Sequence, residues 1–330
     1  MHEQFERALC DYLSVEHICL FNNATTALIV ALKALNLTGQ VITTPFSFVA
    51  TTSAILWAGL EPVFVDIDPD TCNLDPQKIE DAITDRTAAI LPVHCYGFPC
   101  DVERIEAVAQ KHGLRVLYDA AHAFGVDCHC GSLLSHGDAS VISFHATKVL
   151  NTFEGGAIIC SSRELKQEID KYKNFGFVGE TAVELIGING KMNEFSAALG
   201  LLQLNYVRDD IEKRKEIDGV YRAAIESIDG LLALPIPSPI SHNYSYFPLY
   251  VKSGYKLTRD QLYNKLRANG VFARRYFFPL ITDFEAYKSH RRSSYPLPQA
   301  SRVAQEILCL PIYPELDSAE QSLILELLRP

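Results

Sequence analysis

The chain has 330 residues, of which 48% are hydrophobic and 21% charged, and its formal net charge is −10 at pH 7. This length and apolar content predict one large domain with a smaller one. The negative charge argues against a nucleic-acid-binding protein, which needs a basic face against the phosphates. No apolar run has the length of a membrane span, and the first residues lack the basic and apolar regions of a signal peptide. We therefore expect a cytoplasmic protein that does not bind membranes.

The first two hundred residues alternate short apolar runs with amphipathic segments, beginning with the helical face of Phe5, Leu9 and Leu13. We predict strands at 17–21, 40–43, 62–65, 88–91, 115–118, 139–144 and 157–160. We predict helices at 24–35, 47–57, 76–83 and 102–112. This alternation indicates an α/β fold with a mainly parallel sheet flanked by helices, in which ligands bind beyond the carboxyl ends of the strands.

A long helical pattern runs from residue 192 to about 228, before the proline-rich stretch 234–239. We place a domain boundary at this break, with a large α/β domain over residues 1–233 and a small C-terminal α+β domain over residues 234–330. In the small domain, the runs 244–251 and 271–278 flank a helix predicted at 260–269, which Gly270 ends.

Lys148 follows the apolar run 139–144 in a polar loop, and the pair Gly155-Gly156 precedes the next apolar run. Lysine amines condense with aldehydes, and partial burial lowers their pKa so that neutral amine is available near pH 7. Lys148 is therefore a candidate Schiff-base lysine, although most lysines in loops are simply solvated.

Two other segments carry groups that a pyridoxal phosphate (PLP) cofactor needs. Asp119 ends an apolar strand, and a carboxylate beside the pyridine nitrogen keeps the PLP ring protonated and electron-withdrawing. Segment 22–28 reads as a polar turn that opens a helix, whose free N–H groups and hydroxyls can bind phosphate. A turn cap at Asp119 and an ordinary N-cap at the helix start explain the same residues without a cofactor.

Cys128-His129-Cys130 is the one cluster to weigh as a metal site. It lacks a second ligand pair at zinc-like spacing, so we predict a turn in a small hairpin and no bound metal. Arg274-Arg275 and Arg291-Arg292 are candidates for binding an anionic substrate, whereas Lys213-Arg214-Lys215 is typical of a solvated helix face.

Five motifs occur in order along nearly the whole chain: 22–28 (NNATTAL), 44–51 (TPFSFVAT), 119–122 (DAAH), 143–148 (SFHATK) and 187–192 (GINGKM). Together with LPIYP at 310–314 they resemble the DegT/DnrJ/EryC1/StrS family. Its members are PLP-dependent, fold-type I aminotransferases that act on nucleotide-linked keto-sugars. The rival on such a sheet, a nicotinamide-dependent dehydrogenase, lacks support because no Gly-x-Gly-x-x-Gly follows the first strand.

The resemblance implies roles for individual residues. Lys148 matches the lysine that forms the Schiff base with PLP and moves the proton between substrate carbon and cofactor. Asp119 matches the partner of the pyridine nitrogen, and His122 stands where the family has Gln or His near the ring hydroxyl.

The phosphate and the ring face have their own matches. Ala24, Thr25 and Ser143 match positions that hold the phosphate, and Phe48 matches the aromatic residue that stacks on the ring. Taken singly, each of these residues favours a structural interpretation: Phe48 as a core residue, Ser143 as a strand-end cap and His122 as a buried, hydrogen-bonded histidine.

Asn189 matches a residue that reaches the phosphate bound by the neighbouring subunit. The resemblance therefore implies a homodimer with shared active sites. Lys191 stands where many relatives have Arg, and because the two side chains donate hydrogen bonds differently its role stays open.

The implied reaction is a ping-pong transamination in which glutamate supplies the amino group and a nucleotide-linked keto-sugar accepts it. The wording of the lysine motif is closest to members that aminate C4 of dTDP-4-keto-6-deoxyglucose, in deoxyaminosugar, O-antigen or related glycan biosynthesis. Two alternatives stay open: a PLP-dependent sugar dehydratase, in which His replaces Lys148, and a non-catalytic or regulatory PLP-binding protein, which the intact set of Lys148, Asp119 and Ser143 disfavours.

Relatives in this family usually carry a Thr/Ser-x-Gly-type turn ahead of the first helix, where it lines the sugar site. Here that helix begins near His2. We expect PLP binding to survive and the handling of the sugar to be slow, because fewer groups orient the substrate and more water reaches the reacting atoms.

Overall fold

A computed structural model describes residues 1–129, 131–290 and 296–329 of the chain. Its strands are β1 (Ile18–Phe21), β2 (Gln40–Thr43), β3 (Glu61–Phe64), β4 (Thr87–Leu91), β5 (Arg115–Asp119), β6 (Asp127–Cys128), β7 (Gly131–Ser132), β8 (Ala139–Ser143), β9 (Gly156–Cys160), β10 (Leu231–Ala233), β11 (Phe247–Val251) and β12 (Ile307–Leu310). Its α-helices are α1 (His2–Leu13), α2 (Ala24–Ala34), α3 (Val49–Trp57), α4 (Val102–His112), α5 (Arg163–Lys173), α6 (Glu194–Leu204), α7 (Val207–Ile225), α8 (Arg259–Ala268), α9 (Pro298–Glu306) and α10 (Ser318–Leu328).

Seven of the described strands form one sheet in the order β1-β9-β8-β5-β4-β2-β3. Strands β3, β2, β4, β5 and β8 pair in parallel, whereas β9 runs antiparallel to both of its neighbours, β8 and β1. The prediction of a mainly parallel sheet is therefore confirmed. Because β9 alone is reversed, β1, β5 and β8 all end at the same edge of the sheet.

Side chains alternate between the two faces of this sheet. In β1, Ile18 and Leu20 join the core under α1 and α4, whereas Cys19 and Phe21 join the core under α2, α3 and α5. Period-two alternation is what a strand covered on both faces requires. The helices therefore lie on both faces, as the alternation of apolar runs predicted.

A second sheet of the described residues, β10-β11-β12, is antiparallel. Its core includes side chains from α7, α8 and α10, such as Tyr221, Leu262 and Leu328. Strand β10 precedes residue 234 and pairs with β11. The boundary between residues 233 and 234 stays a prediction.

Two predicted elements are wrong in detail, and the run 271–278 is irregular. Residues 76–83 form two short 3₁₀ turns, Pro76–Lys78 and Glu80–Ala82, because Ile83 is already extended. The long helix is divided at Asn205, whose side-chain amide donates to the carbonyls of Leu201 and Leu202 and so ends α6. Segment 271–278 forms no regular strand among the described residues and pairs only through an isolated bridge between Arg274 and Cys309.

The predicted hairpin around Cys128 is present, because β6 pairs antiparallel with β7. Cys130 and the pair Arg291-Arg292 lie outside the described residues. Within the described residues, no cluster of three or more His, Cys, Asp or Glu side chains suits a metal ion. Nor does any described helix combine the length and apolar character needed to cross a membrane.

Gly156 lets β9 pass directly under the start of α2. A Cβ atom at this position would lie 2.7 Å from the backbone nitrogen of Ala24 and 2.8 Å from its Cα. These are backbone atoms, so they cannot move aside as a flexible side chain can. The second glycine of the pair therefore brings the helix start close to the sheet edge.

We expect Gly156→Ala to reduce the free energy of unfolding by about 1–3 kcal/mol, because the added methyl overpacks this contact. Denaturant unfolding measures the change. Gly219→Ala is the matched control, since Gly219 lies inside α7 with no atom within 4 Å of an added Cβ. That control should raise the free energy of unfolding by about 0.5–1 kcal/mol through helix propensity. Wild-type stability of Gly156→Ala would show that β9 and α2 can separate without loss.

Candidate active site

A cavity of about 270 Å³ opens at the edge where β1, β5 and β8 end. The sequence-predicted residues that line it are Ala24, Thr25, Phe48, Asp119, His122, Ser143 and Lys148. Asn189 does not line this cavity; it is exposed, and it forms an isolated β-bridge with Asn174. One chain thus brings together every predicted site residue except the one predicted to act on the partner subunit.

Lys148 lies in the loop after β8, half-buried, with its Nζ 3.1 Å from the phenol oxygen of Tyr246. Burial lowers the pKa of Lys148 from its ordinary 10.5 to about 8, because the charged form loses solvation. The negative charge of Asp119 opposes this change and favours the ammonium form. A useful fraction of Lys148 is therefore neutral amine near pH 7, as a nucleophile and proton carrier requires.

Asp119 is the last residue of β5, and only 5% of it is exposed. Its carboxylate accepts hydrogen bonds from the Thr51 hydroxyl at 2.7 Å and from the Ala121 N–H at 3.2 Å. Burial raises the pKa of Asp119, whereas these two hydrogen bonds and the charge of Lys148 lower it. A buried carboxylate with a positive partner is suited to hold a second cationic group, such as a protonated ring nitrogen.

His122 follows Asp119 in the same loop and is buried. The Tyr96 N–H donates to His122 Nδ1 at 3.1 Å, which assigns the ring proton to Nε2. Burial, and then the positive charge of Lys148, hold the pKa of His122 well below its ordinary value. His122 is thus a neutral hydrogen-bond donor through Nε2 at the cavity wall.

The start of α2 forms the polar end of the cavity. Asn23 is the N-cap, and its side chain accepts a hydrogen bond from the Thr26 N–H at 2.8 Å. Ala24 and Thr25 occupy the first two helical positions, whose N–H groups have no partner within a helix. These N–H groups, at the positive end of the helix dipole, can bind a phosphate.

Phe48 and Ser143 complete the predicted set. Phe48 is 59% exposed and lines the cavity, so its alternative interpretation as a core residue is wrong. Ser143 ends β8, is buried, and its hydroxyl accepts a hydrogen bond from the His145 N–H at 3.3 Å. The strand-end cap at Ser143 is therefore present, and it leaves the hydroxyl at the cavity wall.

Sequence reasoning missed two residues. Thr51 lies within the quoted motif 44–51, and its hydroxyl contacts both Asp119 and Ser47, the latter at 2.8 Å. Tyr246 lies in the segment before β11 and is separated from Lys148 by 98 residues. Ser47 and Thr51 are four residues apart, a spacing at which side chains meet on a helix, and this could have indicated the contact of Thr51. No local sequence pattern indicates that Tyr246 lies beside Lys148.

The basic clusters differ from their predictions. Arg275 binds Asp260 at 3.0 Å and stacks on Tyr263, and neither it nor Arg274 lines the cavity. Arg214, predicted to be solvated, is buried and donates to the carbonyl of Ile312 at 2.7 Å. The run 213–215 is therefore solvated only in part, because α7 turns Arg214 towards the second sheet.

The residues present fit PLP on structural grounds. The cavity holds unpartnered N–H groups at a helix start, a buried carboxylate, an exposed aromatic face and an amine with a lowered pKa. These match the phosphate, the ring nitrogen, the ring face and the aldehyde of PLP, in that order. The individual assignments stay predictions.

Comparison with known proteins gives a match over almost the whole chain. The sequence profile of the DegT/DnrJ/EryC1/StrS aminotransferase family matches residues 1–329. The dTDP-4-amino-4,6-dideoxy-D-glucose transaminase of Shigella dysenteriae is 52% identical over 319 residues, which cover 96% of this chain and 86% of that protein. The transaminase of the same name from Escherichia coli is 49% identical with the same coverage.

Solved structures agree with the sequence comparisons. DesI, solved in the presence of its TDP-sugar product, aligns with a TM-score of 0.94 and 36% identity over 99% of this chain and 83% of that one. PseC of Helicobacter pylori, an aminotransferase involved in the biosynthesis of pseudoaminic acid, aligns with a TM-score of 0.93 and 29% identity over 99% and 90%.

We expect the reactivity of Lys148 towards PLP to follow its lowered pKa. When cofactor-free protein is mixed with PLP, the rate at which the visible band forms should rise about tenfold per pH unit below pH 8 and level off above it, because only neutral amine attacks. Stopped-flow absorbance gives the pH midpoint. Lys148→Ala should form no such band.

Asp119→Asn is the second variant in this experiment. It removes the negative charge that favours the ammonium form of Lys148, so the pH midpoint should fall below the wild-type value. A wild-type midpoint near 10.5, or no change on Asp119→Asn, would contradict the electrostatic description of this pair.

Proposed function

Because this chain belongs to the DegT/DnrJ/EryC1/StrS aminotransferase family, and is therefore a PLP-dependent nucleotide-sugar aminotransferase, we propose that its acceptor is dTDP-4-keto-6-deoxyglucose and its donor glutamate. The observation that carries the sugar is 52% identity, over 96% of the chain, to a dTDP-4-amino-4,6-dideoxy-D-glucose transaminase. We also propose that this enzyme acts in O-antigen or related glycan biosynthesis and that it is cytoplasmic.

Different residues of the cavity bind different parts of PLP. In our proposal, the N–H groups of Ala24 and Thr25, with the Ser143 hydroxyl, hold the phosphate, and Phe48 covers one face of the ring. Asp119 holds the proton on the ring nitrogen, and the Thr51 hydroxyl fixes the carboxylate in place at 2.7 Å. His122 donates through Nε2 to the ring hydroxyl.

PLP, when bound, carries the amino group and accepts the electrons released at the substrate carbon. Lys148 supplies the proton transfer: its neutral amine removes the proton from the carbon of glutamate, and its ammonium form returns one to the carbon of the sugar. A pKa of about 8 suits both directions near neutral pH. The presence of Lys148 also argues against the dehydratase alternative, in which His replaces this lysine.

We further propose a homodimer in which Asn189 contacts the phosphate bound by the partner subunit. On this chain Asn189 is exposed and outside the cavity. Several large apolar side chains near it in sequence are also exposed, which is typical of residues that a partner subunit covers. They are Phe175, Phe177, Val183, Ile186, Ile188 and Phe195.

We expect the purified protein, with PLP and glutamate, to convert dTDP-4-keto-6-deoxyglucose to the 4-amino-4,6-dideoxy sugar. A panel of dTDP-, UDP- and GDP-linked keto-sugars, with products identified by mass and NMR, tests this. The Lys148→Ala variant controls for non-enzymatic amination. A better acceptor with another nucleotide, or amination at a carbon other than C4, would contradict the assigned sugar while leaving the aminotransferase reaction in place.

We expect subunits of Lys148→Ala and Asn189→Asp, each inactive alone, to recover activity when mixed. With free exchange, half of the dimers are mixed and each has one intact site, so about a quarter of the wild-type activity should return. Steady-state turnover after confirmed subunit exchange measures this.

Mixing Lys148→Ala with Asp119→Asn is the matched control, because both side chains line the cavity of one chain and no mixed dimer has an intact site. Recovery in the control pair, or none in the test pair, would contradict sharing through Asn189.

A further inference from the structure

The Lys148 amine contacts the side chain of Tyr246, which lies in the segment just before β11 of the second sheet. Its phenol oxygen lies 3.1 Å from Lys148 Nζ, and Nζ lies 5.6 Å from the centre of its ring. The contact joins the loop after β8 of the large sheet to the segment just before β11. Nothing in the family resemblance or in the predicted roles assigns a function to this phenol.

The segment that carries Tyr246 is held firmly on the loop after β5. Asn243 is fully buried, and its side-chain amide donates to the carbonyls of His122 at 2.8 Å and Phe124 at 2.9 Å. Its side-chain oxygen accepts a hydrogen bond from the Ser245 N–H at 3.1 Å. The backbone of Tyr246 therefore has little freedom relative to Asp119 and His122.

Aromatic contacts also restrict the ring of Tyr246. Ring centres lie 4.6 Å away at His122, 5.7 Å away at Tyr96 and 5.9 Å away at Tyr276. Such packing fixes both side-chain torsions of a tyrosine at low entropic cost. The phenol oxygen is thus placed in advance, whereas Lys148 has four rotatable bonds and needs a partner to define its position.

We propose that Tyr246 is a positioning residue for Lys148, which fixes the amine by a hydrogen bond that persists when Lys148 gains or loses its proton. The ammonium form donates a hydrogen bond to the phenol oxygen. When Lys148 has given a proton to the substrate carbon, the phenol O–H rotates and donates a hydrogen bond to the nitrogen lone pair. Tyr246 keeps its own proton throughout, so atoms and charge balance without a further reactant.

The surroundings of Lys148 and Tyr246 are consistent with a hydrogen bond that reverses direction when Lys148 loses its proton. Asp119 at the end of β5, His122 in the loop after β5 and Cys95 in the loop after β4 face Lys148. Tyr246 is faced by Tyr276 from the segment after α8, by Cys309 from β12, by Cys95, and by Arg214 from α7. Burial raises the pKa of Tyr246, so the phenol stays protonated while Lys148 titrates. The pair therefore holds one exchangeable proton, on Lys148.

The test is the pH midpoint for the reaction of cofactor-free protein with PLP, compared between wild type and Tyr246→Phe. A hydrogen bond to a charged group is stronger than one between neutral groups. Losing the phenol therefore destabilises the ammonium form of Lys148 more than the neutral amine, which lowers the pKa of Lys148. The midpoint should therefore fall below that of the wild type, which we expect near pH 8 from the lowered pKa of Lys148. In the holoenzyme, the single-turnover loss of the visible band with glutamate should slow about tenfold to a hundredfold, with little change in glutamate affinity.

Two variants separate positioning from packing. Tyr246→Leu removes the ring as well and should also lower the melting temperature, whereas Tyr246→Phe should not. Tyr250→Phe, on β11, is the matched control for loss of a phenol. The Tyr250 hydroxyl donates to the Pro69 carbonyl at 2.6 Å and Tyr250 does not line the cavity, so the midpoint should not change. If Tyr246→Phe is unstable, 3-fluorotyrosine at position 246 keeps the packing, makes the phenol a weaker acceptor and should lower the midpoint in the same direction.

An unchanged midpoint and an unchanged half-reaction in Tyr246→Phe would overturn the proposal, as would an effect seen only in Tyr246→Leu. The inference rests on the PLP chemistry of the proposed function. The midpoint is measured without glutamate or sugar, so a wrong assignment of the sugar leaves this test intact.

Discussion

The site depends on the burial of one carboxylate. Asp119 is 5% exposed at the end of β5, where a charge without partners is costly. The Thr51 hydroxyl, the Ala121 N–H and the positive charge of Lys148 offset that cost. Lys148 loses solvation in the same cavity, which lowers its pKa, while the negative charge of Asp119 opposes that change. Burial at this sheet edge thus produces both an anion that can hold a ring proton and an amine that is partly neutral.

Sheet topology explains why these groups meet. Strands β5 and β8 are parallel neighbours, so Asp119 and Ser143 lie at the same edge, and the loop after β8 brings Lys148 back over it. The reversed strand β9 fills the space between β8 and β1, and its first residue, Gly156, leaves room for the start of α2. The start of α2 and Lys148 thus line the same cavity, at the carboxyl edge of a parallel sheet where ligands are expected.

Features encoded over short stretches of sequence could be predicted. Strand positions followed from apolar runs, and the N-cap at Asn23 and the loop carrying Lys148 followed from local turn chemistry. Failures arose where individual hydrogen bonds, distant or local, decide the outcome. Arg214 is buried where it donates to the carbonyl of Ile312, 98 residues away in the chain. The helix predicted across residue 205 ends where the Asn205 side-chain amide donates to the carbonyls of Leu201 and Leu202. Periodicity describes one element at a time and contains neither fact.

The same distinction separates the identity of the site from its reactivity. Lys148, Asp119 and His122 are recognisable in sequence because each lies in a short motif at a strand end. The value of the Lys148 pKa depends instead on what surrounds the amine, and part of that surrounding comes from the segment before β11, anchored through Asn243. A change in how the second sheet packs on the loop after β5 would therefore alter the proton affinity of Lys148 without altering any residue of the motifs. Two chains with identical motifs can differ in rate for this reason, since general acid–base catalysis depends on the match between the pKa of the catalytic group and the working pH.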